Sequence, residues 1–230
     1  EHFLENLNFF NDEFKEELKN LQQFVDTTYG ITPAWASSCL NRYFGLIDGV
    51  IEIVKLVPIA KKPCVIDLDP VVALGKISYS FMNIVSLLHD ILDNVGFAIG
   101  VLYYSRSTDV SSKSFNQLFS KEGKIENELI PNHINELLID VYEKGKHIVD
   151  KDNESKHKFF SGVGEIYVQK ELIETTFENF SGNLLDLMNY NMISIDECLK
   201  ITKHIKDQLL LVTIRLVNLV SRELSENQIK

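Results

Sequence analysis

Among the residues able to do chemistry, one cluster stands out: Asp152-Asn153-Glu154-Ser155-Lys156-His157-Lys158. An imidazole with an ordinary pKa can take or give a proton near neutral pH, and ammonium groups beside it attract phosphate. Asn153 adds an amide that both donates and accepts, and Lys151 extends the cationic run. Together these side chains suit contact with a phosphate group. The cluster falls between two apolar helical runs, so a short charged loop is expected there. The same residues also read as a solvated turn without chemistry.

Three further groups compete with it. Lys200, Lys203 and His204 are spaced by three and one, which places them on one side of a helix and would add phosphate contacts of the salt-dependent kind. Glu154 and His157 form a Glu-x-x-His unit, as used in di-iron bundles, but those need a second such unit and two more carboxylates, and the chain has no second one. Glu143 and His147 are four apart and would be another possible pair. No metal and no cofactor is assigned. The His89-Asp90 doublet resembles the His-Asp pair of metal-dependent phosphohydrolases, yet only His2 lies upstream to complete such a site. That family is set aside.

Helices must position these groups. Phe3, Leu7, Phe10, Phe14, Leu18, Leu21 and Val25 are spaced by threes and fours, which predicts a first helix over 3–25 with an acidic outer face. Gly30 suits its end, and Thr32 with Pro33 suits the start of a second helix running to Val57, where Pro58 is expected to stop it. Gly45 and Gly49, four apart, would let another helix come close. A third helix is expected from about Asp69 to Tyr104, apolar except for a stripe of Lys76, Ser80, Asn83, Ser86, Asp90 and Asp93 or Asn94. Residues 105–128 read as a loop excursion with a short helix near Phe115–Phe119. A fourth helix starts near Pro131 and buries Ile134, Leu137, Leu138, Val141 and Ile148. Residues 159–180 are ambiguous: 165–168 suit a strand and 171–177 a helix, while 183–190 suit a helix. Ser194 to Glu197 has the pattern of a capping box and opens a last helix reaching about Glu223.

The chain has 230 residues. One domain of that size buries roughly 70–75% of its unfolded surface without a staple. Its three cysteines, Cys39, Cys64 and Cys198, are widely spaced and form no Cys-x-x-Cys pair, which argues for a reduced, cytoplasmic setting. No basic and apolar leader is seen at the start, so no signal peptide is expected. The apolar stretch from Phe81 to Tyr104 carries His89, Asp90, Asp93 and Asn94, and charges at a bilayer centre cost about 2.5–3.5 kcal/mol each, so no membrane partner is expected. The net charge of −10 disfavours broad nucleic-acid binding, which a local basic patch can override. The fold expected is all-α, a bundle of about five or six helices in a single domain.

The pattern Asp152-Asn153-x-x-Lys156-His157-Lys158 resembles the Arg-Asn-x-x-Lys-His-Arg form of the motif in HEPN domains, small helical bundles many of which are RNases or RNA binders. The resemblance covers about 70–225, with 1–58 as an added N-terminal helical hairpin. It implies an up-down core, a homodimer with a cleft between the motifs, and RNA handling, often in phage defence or toxin–antitoxin systems. In catalytic members the motif's Arg and His sit on a helix turn; the His moves the proton and the Arg stabilises the phosphorane. Carried onto this chain, His157 and Asn153 match, Lys156 and Lys158 match in charge, and Asp90 would orient His157 from an earlier helix. Asp152 stands in the arginine's place, and a carboxylate repels phosphate; Lys151 lacks the bidentate fork that would replace the arginine. The implied activity is therefore a degenerate, metal-independent endoribonuclease or an RNA binder, with Lys151, Lys156, Lys158, Lys200 and Lys203 as phosphate contacts. A non-enzymatic dimerisation or protein-interaction module is the alternative, and a metal-binding bundle a weaker one.

Overall fold

Asn11 decides where the first helix begins. Its side-chain oxygen accepts the Phe14 N–H at 2.7 Å, capping a helix α1 that spans Asp12–Thr27. The expected start at Phe3 is thus replaced by a short 3₁₀ turn at Leu7–Phe9 followed by the cap. The computed structural model describes residues 7–28, 31–62, 69–104, 114–120, 123–125, 129–157, 162–163 and 192–228. Expected elements within 164–190 lie outside them.

Helix α2 spans Ile31–Ala60, so Thr32 and Pro33 fall inside its first turn, rather than Thr32 standing before it. It also runs through Pro58, against the expected stop. A proline forfeits its bond to the carbonyl four residues back and crowds it, yet only two helical residues follow Pro58, and the Lys61 N–H still reaches the Val57 carbonyl at 3.1 Å. Helix α3 spans Asp69–Tyr103, 35 residues. Helix α4 spans Asn132–His157. Ser194 caps helix α5, Ile195–His204, by accepting the Glu197 N–H at 3.1 Å, one half of the expected box. A π turn at Ile205–Leu209 joins α5 to helix α6, Leu210–Gln228, making one long closing rod. Gly162–Val163 and Met192–Ile193 form a two-residue parallel bridge, β1 and β2, and the described residues are otherwise all-α.

Helices α2 and α3 pack antiparallel along most of their length. Gly45 and Gly49 make that approach possible, as their spacing predicts: a Cβ on Gly49 would lie 2.3 Å from Ile84 Cγ2, and one on Gly45 2.8 Å from Leu87 Cδ1. In the same seam the buried Ser80 hydroxyl donates to Glu52. Helix α1 closes over α2 and α6. Phe14 and Tyr43, both fully buried, meet there with ring centroids 6.4 Å apart. The Asn218 amide donates to the Glu17 carbonyl and carboxylate at 2.9 and 2.7 Å. Helices α1 and α2 therefore share one continuous core with α3, α4 and α6.

Burial pushes the Tyr43 hydroxyl well above its usual pKa of 10.0. That hydroxyl faces the Thr213 side chain and makes no hydrogen bond of normal geometry among the described residues.

The short 3₁₀ turn Phe115–Leu118 matches the expected helix near Phe115 and lies on α3. Gly96 permits this, because a Cβ there would meet the Phe115 backbone nitrogen at 2.5 Å. Phe119 then stacks on Tyr142 of α4, centroids 4.2 Å apart. Among the described residues, Val72–Tyr103 is long and apolar enough to cross a membrane by length and composition, and 56% of its most apolar stretch is buried inside the protein. Its apolar side packs into the helical core.

Candidate functional site

The backbone of Lys151–His157 is helical, not a loop: these residues are the last two turns of α4. The sequence permits this for a local reason. No glycine or proline occurs from Lys146 to His157. Lys and Glu are good helix formers, and Asp152 precedes Lys156 by four, the acid-before-base order that favours a helix. Cationic residues near a helix C-terminus also complement its partial negative charge. On this backbone Asn153 and His157 are one turn apart on the same side. The side chains of 149–157, and all of Lys158, lie outside the described residues.

The other predicted cations are visible. Lys200 and Lys203 are exposed on α5. His204 does not join them. Its Nε2 lies 2.9 Å from the Lys144 carbonyl, which can only accept, so this nitrogen carries the proton and the ring ties α5 to α4. Two approaches show that α4 runs antiparallel to the closing rod: His204 beside Lys144, and His133 Nε2 3.9 Å from Glu223. Beyond Lys144, α4 continues for about 20 Å at the helical rise. Its motif turns therefore lie toward the same end of the bundle as Lys200, Lys203 and the α5 N-terminus. There Lys61, at the end of α2, pairs with Asp196.

Asp90 is held elsewhere. Its carboxylate lies 3.6 Å from Arg42 Nε, and Arg42 also donates to the Ser38 carbonyl at 3.0 Å and to the Ser38 hydroxyl. Leu92 is the α3 side chain that meets α4 at Gly145, with Cδ1 3.8 Å from a Cβ built there. At about 100° per residue, Asp90 sits on the opposite side of α3 from Leu92. The geometry thus gives Asp90 a partner in α2, and gives no support to its orienting His157. Asp93 of the stripe is engaged in the same way, and two neighbouring groups are tied down with it. His89 Nε2 lies 3.5 Å from Asp93, Asp93 accepts the Phe115 N–H at 3.1 Å, and Trp35 Nε1 donates to the Asn94 carbonyl at 3.2 Å. Trp35, Arg42 and Gly96 were not singled out from the sequence; the only signals were a lone Trp and a glycine in an apolar run.

Among the described residues no three His, Cys, Asp or Glu side chains are grouped to hold a metal. Glu154, His157 and His147 fall outside that set. Nor are the described thiols poised for chemistry. Burial pushes Cys39 and Cys198 from 9.0 up to about 12. A thiol reagent at pH 8 is therefore expected to leave both untouched in the native chain, with Cys64 as the sole candidate for fast reaction. Denaturation should release all three, and fast labelling of two or more native thiols would contradict this burial. The sign of the pH effect follows. As pH rises past 9 the unfolded thiols ionise while the folded ones stay protonated, so stability is lost between about pH 9 and about pH 12.

No family model, no curated protein and no solved structure matches the chain.

Proposed function

We propose that this chain is a HEPN-like helical domain that binds RNA with the final turns of α4 and has lost efficient cleavage. The observation that carries the reading is the helical backbone through His157. It sets Asn153 and His157 one turn apart at the end of a helix, the setting that the resembled motif has in catalytic members. Lys151, Lys156 and Lys158 would contact phosphates there, joined from the same end of the bundle by the exposed Lys200 and Lys203. His157 is the acid–base group of any remaining chemistry. Asp152, where the motif has arginine, withdraws the charge that would stabilise a phosphorane. The proposed site leaves out Asp90, whose carboxylate lies 3.6 Å from Arg42 Nε.

Labelled single-stranded RNA tests the proposal. Wild type is expected to shift the RNA at low salt without cutting it. His157→Ala and Lys156→Ala/Lys158→Ala should weaken the shift, and the double variant should lower the salt dependence by roughly 0.7 logarithmic units for each phosphate it no longer neutralises. Asp152→Arg should restore metal-independent cleavage, and Asp152→Arg/His157→Ala should abolish it again. Absence of any shift at low salt would sink the RNA reading. The chain would then stand as a helical interaction module, a second reading favoured by the apolar residues exposed along α3.

A further inference from the structure

The outer side of α3 is exposed along almost its whole length. Val72, Lys76, Tyr79, Asn83, Asp90, Phe97 and Val101 are all exposed, and Asn94 and Ser86 are half-buried between them. Tyr79 is 75% exposed, Val72 54%, Val101 53% and Phe97 42%, four of the six large apolar side chains left exposed among the described residues. Steps of three and four make them one stripe about 44 Å long at the helical rise.

The stripe is symmetric about the Ser86–Leu87 bond. Numbered outward from that point, Val101 mirrors Val72, Phe97 mirrors Lys76, Asn94 mirrors Tyr79 and Asp90 mirrors Asn83. Exposed positions thus map onto exposed or half-buried ones, and the chemistry of each pair is compatible. Valine meets valine. A lysine crosses an aromatic ring, a favourable cation–π pairing. An amide meets a phenol, and an amide meets a carboxylate. Charge is also divided along the stripe. Its N-terminal half carries Lys76, for which no ion pair occurs among the described residues. Its C-terminal half carries Asp90 and the partly exposed Asp93. An antiparallel copy sets positive against negative, whereas a parallel copy sets like against like.

We propose that this stripe is the homodimer surface: two copies pack α3 against α3, antiparallel, with a two-fold axis at Ser86–Leu87. A two-fold interface must be self-complementary in this sense, each residue meeting its mirror position. The half-buried Ser86 at the centre keeps the crossing close. This surface lies on the side of α3 turned away from α4, unlike the cleft between motifs that the HEPN resemblance implies, so the dimer forms whether or not the α4 motif binds RNA.

Sedimentation of the full chain, joined to cysteine cross-linking in a Cys64→Ser background, tests the geometry. Wild type is expected to be dimeric at micromolar concentration. Tyr79→Glu/Phe97→Glu should be monomeric with an unchanged helical circular-dichroism spectrum, since both sites are exposed. Ser86 lies beside the axis, one residue from its own copy along the crossing, which is within disulfide reach, so Ser86→Cys should form a covalent dimer on mild oxidation. Val101→Cys alone should not, whereas Val72→Cys/Val101→Cys should. A wild-type monomer overturns the proposal. So does a dimer that Tyr79→Glu/Phe97→Glu leaves intact, or one in which Ser86→Cys fails to cross-link. Flotation of wild type with neutral phosphatidylcholine vesicles, abolished in the same double variant, would instead assign the stripe to a lipid surface.

Discussion

Phe14→Ala is expected to destabilise the protein by about 3–5 kcal/mol, the range for removing a fully buried aromatic ring. Phe14 has no exposed surface. Its ring lies 5.3 Å from Phe10 and 6.4 Å from Tyr43, so its removal leaves a cavity where α1 meets α2. The remaining ties of α1 cannot offset that. Arg215 pairs with Glu13 at 2.7 Å, but the two side chains are 41% and 68% exposed, and such pairs contribute about 1 kcal/mol or less. Urea unfolding should show this order, Phe14→Ala far below Arg215→Ala. Equal losses would mean that polar interactions, and not the aromatic seam, hold α1 in place.

Gly49→Ala should also destabilise, by about 1–3 kcal/mol, although alanine is the better helix former. The new methyl would sit 2.3 Å from Ile84 Cγ2, a branch fixed directly on Cβ and unable to swing aside. The effect is specific enough for a double-mutant cycle. Ile84→Ala removes the opposing methyl, so Gly49→Ala/Ile84→Ala should be less destabilised than the sum of the single changes by about 1 kcal/mol. Additive losses would show that α2 and α3 do not cross at this point. Gly45→Ala should cost less, because Leu87 Cδ1 is the far end of a flexible side chain.

Much of the frame follows from local patterns. The three-and-four spacing of apolar residues in α1, α3 and α4 marks their buried sides: Phe14, Leu18 and Leu21, then Ile77, Ile84, Leu88 and Ile91, then Ile134, Leu138, Val141 and Ile148 are all buried. Ser194 with Glu197 marks a helix start through hydrogen bonds spanning three residues. Gly45 and Gly49 mark the close crossing because a missing Cβ is the one feature that allows it. The errors came where two local rules conflicted. Proline as a rule ends a helix, yet α2 carries two residues past Pro58, and a charged run suits a loop or a helix end equally well until its neighbours are placed.

Partners were beyond the sequence, because they are chosen by elements distant along the chain. The rotation of α3 brings Asp90 to Arg42 of α2, on the side away from α4, a pairing that no local pattern in the sequence marks. His204 looks like a third cation beside Lys200 and Lys203, yet the antiparallel run of α4 brings the Lys144 carbonyl to its ring. The sequence by itself determined an all-α class, most helix faces, the glycine seam and a cationic cluster around His157. Only the tertiary structure decided that the motif ends a helix, that the α3 polar stripe ties down Arg42 and Phe115, and that the outer side of α3 stays exposed. Helical periodicity is local, whereas the rotation and direction of one helix against another depend on side chains far apart along the chain.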